Sequence, residues 1–367
     1  MPVSTIQIDL QAIRHNLQAI RRHVPEPIGC MAVIKADAYG HGAAEVLQVA
    51  LQEGFDSAAV ARVQEGIYLR DKGFTCPIYV LGDAILEEVE LAVANELIVP
   101  LDTAFELQLL EQAARRVQKT AEIMIAVDTG MNRIGIHIEA LPRLLEALAG
   151  YPHIHVRGLF THLATADALD KTQTEEQLAV FDQTVSLMRK YREPLIISAA
   201  NSAGVIDMPK SWYNTIRPGI IIYGCRPSDA VGHTLDLIPA LSLASHITHT
   251  QRMKEGESLG YGATFVAPRD MWTATIPIGY ADGFPRSLSN QGAVLVGGKR
   301  RKIIGRICMD QLMIEGDAGI RAGDEVILIG KQGDEAIAIE EVALLAGTIP
   351  YEIMCGLKRI PRIFINE

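Results

Sequence analysis

The chain has 367 residues, of which 49% are hydrophobic and 21% charged, and a formal net charge of −10. That length exceeds the roughly 250 residues at which one core usually stops growing, so two domains are expected, and the hydrophobic content excludes a disordered chain. The acidic balance excludes a general polyanion binder, so no nucleic-acid partner is expected. Cys30, Cys76, Cys225, Cys308 and Cys355 are an odd number with no C-x-x-C pair. They suggest neither a disulfide framework nor a zinc site, and they fit a reducing cytoplasm. Met1 to Leu10 lacks a basic region followed by an apolar run, and no stretch reaches the roughly 18 apolar residues of a membrane span. Neither export nor membrane insertion is expected, and the location expected is cytoplasmic.

From about residue 8 to residue 235, short apolar runs alternate with stretches of helical period. Strands are predicted at Gly29 to Lys35, Ser57 to Ala61, Ile78 to Gly82, Leu97 to Pro100, Glu122 to Asp128, His155 to Thr161, Leu195 to Ala199 and Thr215 to Tyr223. Helices are predicted at Gly42 to Glu53, Leu86 to Asn95, Thr103 to Val117, Ile138 to Leu148 and Thr174 to Tyr191. Counting alone permits a closed parallel barrel or an open doubly wound sheet. The distinctive residues Lys35, Arg133, His162, Asn201, Ser202, Arg217 and Gly219 fall at or just past strand C-terminal ends, or within the last predicted strand. A barrel gathers those ends on one face, so an eight-stranded α/β barrel is preferred.

Lys35 ends the first of these apolar runs and opens Lys-Ala-Asp-Ala-Tyr-Gly-His-Gly. Burial lowers an ammonium pKa, so a lysine at a strand mouth can become the neutral amine that condenses with an aldehyde. After about residue 236 the texture changes to alternating runs, Ser245 to Thr250, Thr273 to Ile278, Ala293 to Val296 and Glu325 to Ile329, separated by glycine-rich turns. This is expected to be an all-β module with one helical segment, Ile339 to Ala346. The basic run Lys299 to Lys302 after Gly297-Gly298 is expected at a solvated hairpin tip. The domains expected are thus residues 8–235 and 236–367, with an N-terminal strand within residues 1–7 joining the second.

Motifs along nearly the whole chain resemble those of the alanine racemases and occur in that family's order. They are Lys35 to Gly42, Asp128 to Gly135, Thr161-His162, Ala200-Asn201-Ser202, Arg217-Pro218-Gly219-Ile220, Gly260-Tyr261-Gly262, Ile278 to Gly283, Cys308-Met309-Asp310 and Ile349-Pro350-Tyr351-Glu352. The resemblance implies pyridoxal 5′-phosphate as cofactor, an α/β barrel followed by a β domain, and interconversion of L- and D-alanine that supplies peptidoglycan.

It further implies Lys35 as the cofactor lysine and one base, with Tyr261 as the base on the opposite face of the substrate. Racemisation needs one on each face. Tyr39, Ser202, Gly219, Ile220 and Tyr351 match the phosphate cradle, with Asn201 in the same shell. Arg217 matches the residue that faces the pyridine nitrogen, and His162 joins it in a relay behind Tyr261. Arg133 and Met309 match the substrate carboxylate site. Tyr280 is either an entrance residue or a packed aromatic. In the family the tyrosine base enters from a second subunit, which implies a homodimer with shared sites.

Two departures stand out. Asp37 replaces the commoner asparagine, and Ala126 stands where many members carry a carbamylated lysine that holds the arginine matching Arg133. An anion such as chloride, or another carboxylate, is therefore expected to neutralise Arg133. The alternatives are a serine or broader amino-acid racemase on this fold, a more distant decarboxylase, and a non-catalytic cofactor carrier that would leave Tyr261 idle.

Overall fold

The predicted apolar runs form eight short parallel strands: Gly29–Val33, Ser57–Val60, Ile78–Val80, Val99–Leu101, Ala121–Ala126, Ile154–Phe160, Ile196–Ser198 and Thr215–Ile216. In the computed structural model, residues 3–82, 86–191, 193, 195–232 and 235–366 are described. They fall into two units, one of Ala12–Ala38 with Gly42–Ile238 and the other of Met1–Gln11, Tyr39–His41 and Pro239–Glu367.

The eight strands belong to the first unit and pair as two arcs. One runs in the order Ile78–Val80, Ser57–Val60, Gly29–Val33, Thr215–Ile216, and the other follows chain order from Val99–Leu101 to Ile196–Ser198. All four residues of Ser57–Val60 are buried, as expected of a parallel strand covered on both faces. The arcs meet at a parallel bridge between Tyr79 and Ile98. At the other seam the Asn214 and Arg217 N–H groups donate to Ile197 O and Ala200 O, at 3.4 and 3.0 Å. The expected barrel is the observed architecture, with ladder pairing thinned at the seams because the strands there are only two or three residues long.

Helix Leu10–His23 buries Ile13, Leu17 and Ile20 at helical spacing. Its fully buried Asn16 donates to Ile222 O and Ile238 O and accepts from Ile238 N–H, which fixes the chain's exit from the barrel. The predicted strand Thr215 to Tyr223 requires correction: only Thr215–Ile216 pairs, and Ile220–Tyr223 is a 3-10 turn. Pro218 lacks the N–H needed to continue a ladder, and Gly219 lets the chain turn.

The second unit contains a seven-stranded sheet. Its path is Lys299–Lys302, Ala293–Val296, Glu325–Gln332, Leu241–His246, Thr5–Asp9 and Arg362–Ile365, with Glu335–Ile337 paired to Glu325–Gln332. The first strand of the chain lies antiparallel to Leu241–His246 and parallel to Arg362–Ile365. A three-stranded sheet, His249–Met253, Met271–Ile276 and Leu312–Gly316, contributes to a core of Met253, Leu259, Ala267, Met271, Ile304 and Met313. Besides the expected helix Ile339–Ala346 there is a second, Pro350–Gly356, which starts at a proline.

The basic run is a strand rather than a tip. Gly297 and Gly298, at φ +58° and +69°, make the turn before it. Arg300 pairs with Glu335 and Glu341, and Arg301 with Asp317.

Gly158 marks the tightest strand approach in the barrel: a Cβ there would lie 1.9 Å from Ile196 O and 2.7 Å from its carbonyl carbon. Neither atom belongs to a flexible side chain. Gly158→Ala should therefore destabilise the protein by about 3 kcal/mol, read as a lowered urea midpoint with unchanged slope.

Candidate active site

Lys35 follows the buried strand Gly29–Val33 and introduces a backbone rarity. Ala36, Asp37, Ala38 and Tyr39 all have φ between 52° and 56°, a left-handed helical turn made of non-glycine residues. Each such residue costs about 1–2 kcal/mol, so the surrounding structure must impose the turn. Glu65 does so from the first turn of the helix Val63–Asp71 that follows the next strand. Its carboxylate accepts from Ala36 N–H at 2.7 Å, and also from Ala61 and Arg62 N–H at 2.7 and 3.1 Å. Asp37 closes the turn by accepting from Ala43 N–H through Oδ1 at 2.8 Å and from Gly42 N–H through its carbonyl at 3.0 Å. An asparagine could accept the Ala43 bond equally through its own Oδ1, which gives the first departure a physical reading.

A cavity of about 230 Å³ opens beside Lys35, lined by Ala126, Arg133, Phe160, Thr161, His162 and Arg217 among others. Arg217 is 4% exposed. Its Nη2 donates to Thr161 O at 2.6 Å, its Nη1 donates to Ser198 Oγ, and its guanidinium carbon lies 5.5 Å from the Phe160 ring centre. Ser198 Oγ in turn donates to Thr215 O at 2.7 Å. These partners are neutral. Burial pushes the Arg217 pKa down to about 10, which still leaves it cationic at neutral pH.

The partly buried His162 is pushed down to about 3, first by desolvation and then by the charges of Arg217, Arg133 and Lys35. At neutral pH it is an uncharged imidazole. Of the two relay residues expected behind a tyrosine base, only Arg217 carries a charge.

Arg133 sits on a loop shaped by Asp128, whose Oδ1 accepts from the Gly130, Met131 and Asn132 N–H groups at 2.9, 3.1 and 3.1 Å. The guanidinium is solvent-exposed, and no ion pair joins it to a described carboxylate. The carboxylate form of the expected counter-charge is thus not found among the described residues. The buried guanidinium of this barrel is Arg217, which pairs with no described carboxylate either.

Gly219 N–H donates to Ser202 Oγ at 2.9 Å, leaving the Ser202 hydroxyl hydrogen to donate elsewhere. Asn201 caps Ser202–Asp207 through its Oδ1, which accepts from Gly204 N–H at 3.1 Å, and Ile220 is fully buried. In the second unit the rings of Tyr39 and Tyr351 lie 5.7 Å apart. Burial raises the Tyr39 pKa, keeping the phenol protonated. Tyr261 and Met309 are 72% and 53% exposed, and Tyr280 is 42% exposed rather than a packed core aromatic. The Tyr280 and Ala281 N–H groups donate to Cys308 O and Met309 O, at 3.1 and 3.0 Å, which ties those two motifs together.

Thus Lys35, Arg133, His162 and Arg217 share one cavity, Ser202 meets Gly219, and Tyr39 meets Tyr351. Tyr261 and Met309 are surface residues of the second unit. Glu65 and Ser198 were not foreseen. Glu65 lies three residues after Arg62 at a helix start and its carboxylate reaches back to the Arg62 N–H, but an arginine there gives no capping-box signal in the sequence, and nothing local marks Ser198.

Comparison with known proteins assigns the chain. The family model described as "Alanine racemase, N-terminal domain" matches residues 8–227, and "Alanine racemase, C-terminal domain" matches residues 240–364. The chain belongs to the alanine racemase family. Alanine racemase 1 of Bacillus subtilis is 41% identical over 366 residues, covering 98% of this chain and 92% of that protein. The crystal structure of alanine racemase from Bacillus anthracis with bound L-Ala-P is 35% identical, with a TM-score of 0.96 over 100% of this chain and 96% of the other. The histidine racemase of Leuconostoc mesenteroides is 29% identical, with a TM-score of 0.91 over 99% and 98% of the two chains. Solved racemases similar to this chain thus carry names with more than one amino acid.

Two features of this alanine racemase family member can be tested on the protein alone. Ala36 is exposed, so Ala36→Gly removes left-handed strain and no packing. It should raise stability by up to about 1 kcal/mol in urea titration, the reverse of an ordinary Ala→Gly change. His162 has a folded pKa below its unfolded value, so its neutral form contributes stability above pH ~6.5 that is lost as the pH falls toward 3. Between pH 7 and pH 4.5, His162→Gln should lose less unfolding free energy than the wild type, again by urea titration.

Proposed function

We propose that this protein interconverts L- and D-alanine with pyridoxal 5′-phosphate bound at Lys35. Lys35 and Tyr261 then serve as the bases on opposite faces of the substrate Cα. The observation that carries the reading is the cation set of the barrel cavity: a lysine at the wall and a buried arginine with neutral partners only. Enzymes that use the same cofactor for other chemistry often set a carboxylate against the ring nitrogen.

The residues present fit the cofactor. A primary amine stands at the cavity wall, and Ser202, beside the Gly219 turn, retains a hydroxyl hydrogen that can donate to an anion. Ser202, Gly219, Ile220, Tyr39 and Tyr351 are the residues assigned to the phosphate, supported by Asn201. When bound, the cofactor supplies an electron-accepting ring that acidifies the Cα–H of an amino acid.

Arg217, still protonated well above neutral pH, has no proton to give to a ring nitrogen. That favours return of a proton to Cα over transfer of the amino group. Neutral His162 holds a hydrogen-bonding position between cations and leaves the charge at this end of the relay to Arg217. Arg133 and the Met309 N–H bind the substrate carboxylate. Tyr261, exposed on this chain, acts in a homodimer from the partner subunit. The small residues Ala61, Gly82 and Ala126 in the cavity wall leave room for a substrate larger than alanine, so serine or a broader range is the second reading.

Borohydride reduction of the purified protein should fix the cofactor on Lys35, seen as one modified peptide by mass spectrometry and lost in Lys35→Ala. The wild type should wash deuterium from solvent into Cα of alanine, and Tyr261→Phe should slow turnover roughly 10²- to 10⁴-fold. Mixing Lys35→Ala with Tyr261→Phe subunits should restore activity in heterodimers that contain one intact site. Attachment at another lysine, or alanine that keeps its α-hydrogen, would refute the reading. A chiral assay over the small L-amino acids separates alanine from the broader range.

A further inference from the structure

The long helix Thr172–Tyr191 carries a buried glutamine. Gln177 is 1% exposed, and its side-chain bonds go to the loops at the barrel mouth. Its Oε1 accepts from Ala164 N–H at 2.8 Å, and its Nε2 donates to His162 O at 3.0 Å and to Thr129 Oγ1 at 3.1 Å. The amide orientation is fixed by those partners, since Ala164 N–H needs an acceptor and His162 O a donor. One turn earlier on the same helix, Gln173 Nε2 reaches Gly130 O at 3.5 Å.

The network continues inward. Thr129 Oγ1 and Thr161 Oγ1 are 2.8 Å apart and both buried, and Thr161 O is the acceptor for Arg217 Nη2. A single amide thus joins the loop that starts at Thr129 and carries Arg133 to the loop that carries His162. Through Thr129 and Thr161 it also reaches Arg217. A leucine of similar size would leave Ala164 N–H and His162 O buried without partners, at about 1–3 kcal/mol each. A glutamate would set an acceptor against the His162 carbonyl.

We infer that Gln177 is a positioning residue for the reaction, holding the Arg133 loop and the His162 loop in one fixed arrangement around Arg217. The inference rests on the racemase reading for its catalytic meaning. The geometric claim stands on the hydrogen bonds alone.

The experiment compares the wild-type holoenzyme with Gln177→Ala, Gln177→Glu and Thr184→Val. Thr184 lies two turns further along the same helix, is fully buried, and bonds only its own helix at Val180 O. At equal cofactor occupancy, both Gln177 variants should lose roughly ten- to a hundredfold in kcat/KM for alanine, whereas Thr184→Val keeps the wild-type value. In Gln177→Glu the ratio to wild type should rise as the pH falls, because the protonated carboxyl again donates to His162 O. In Gln177→Ala that ratio should stay flat. Hydrogen exchange on the cofactor-free proteins should quicken over residues 128–132 and 161–166 in the Gln177 variants and not in Thr184→Val.

Gln177→Glu retains the size and the acceptor to Ala164, so it decides the matter if Gln177→Ala does not fold. Variants within twofold of wild-type kcat/KM, a pH-independent ratio in Gln177→Glu, or unchanged exchange at both loops would each overturn the inference. A wild type that leaves alanine unracemised would instead overturn the racemase reading, and the hydrogen-exchange comparison would still decide whether Gln177 clamps the loops.

Discussion

A buried guanidinium that pairs with no described carboxylate governs this site. Charge in a low-dielectric interior is normally paired, and an unpaired cation raises the energy of everything of the same sign near it. Arg217 is tolerated because three polarised neutral groups share its load: a serine hydroxyl, a backbone carbonyl and an aromatic face. Its presence, added to burial and to Arg133 and Lys35, removes the proton from His162. Arg217 also adds positive charge to the wall of the cavity beside Lys35. Fixing one side chain thus bears on the charge state of its neighbour, alongside the desolvation that acts on it first.

The lysine wall is built by a different constraint. Right-handed helix is the local default for a sequence such as Ala-Asp-Ala-Tyr, and the tie from Glu65 and the closing bonds of Asp37 help to hold it in the mirror conformation. Such a turn cannot relax one residue at a time. Lys35 accordingly stands on a rigid support that spans two adjacent strands, Gly29–Val33 and Ser57–Val60, and rigidity of this kind suits a reacting amine.

Buried parallel strands read as apolar runs, so the barrel, its order and the placement of Lys35 at a strand mouth were legible in the residues. What failed to show had a tertiary origin. The left-handed turn contains no glycine before Gly40, so nothing in its composition announces it. Ile220–Tyr223 looked like strand because its side chains are apolar, yet they are apolar for the sake of a buried turn. Helix Pro350–Gly356 is too short to display a helical period. The neutrality of His162 depends on cations drawn from three separate parts of the chain, and no window of sequence contains them. The motifs resembling a known family singled out Lys35 and Arg217, while Glu65, bonded to the turn after Lys35, and Ser198, bonded to Arg217, emerged only in three dimensions.

The position of Thr5–Asp9 between Leu241–His246 and Arg362–Ile365 bears on the order in which the chain can be assembled. Both strands that complete its hydrogen bonding are synthesised after the whole barrel. Until then its Ile6 and Ile8, fully sheltered in the finished sheet, are an unsatisfied edge. The barrel strands have close sequence neighbours and can pair during elongation, whereas the sheet that holds Thr5–Asp9 must wait for Arg362–Ile365. A chaperone acting on the nascent protein would find its binding segment at Thr5–Asp9.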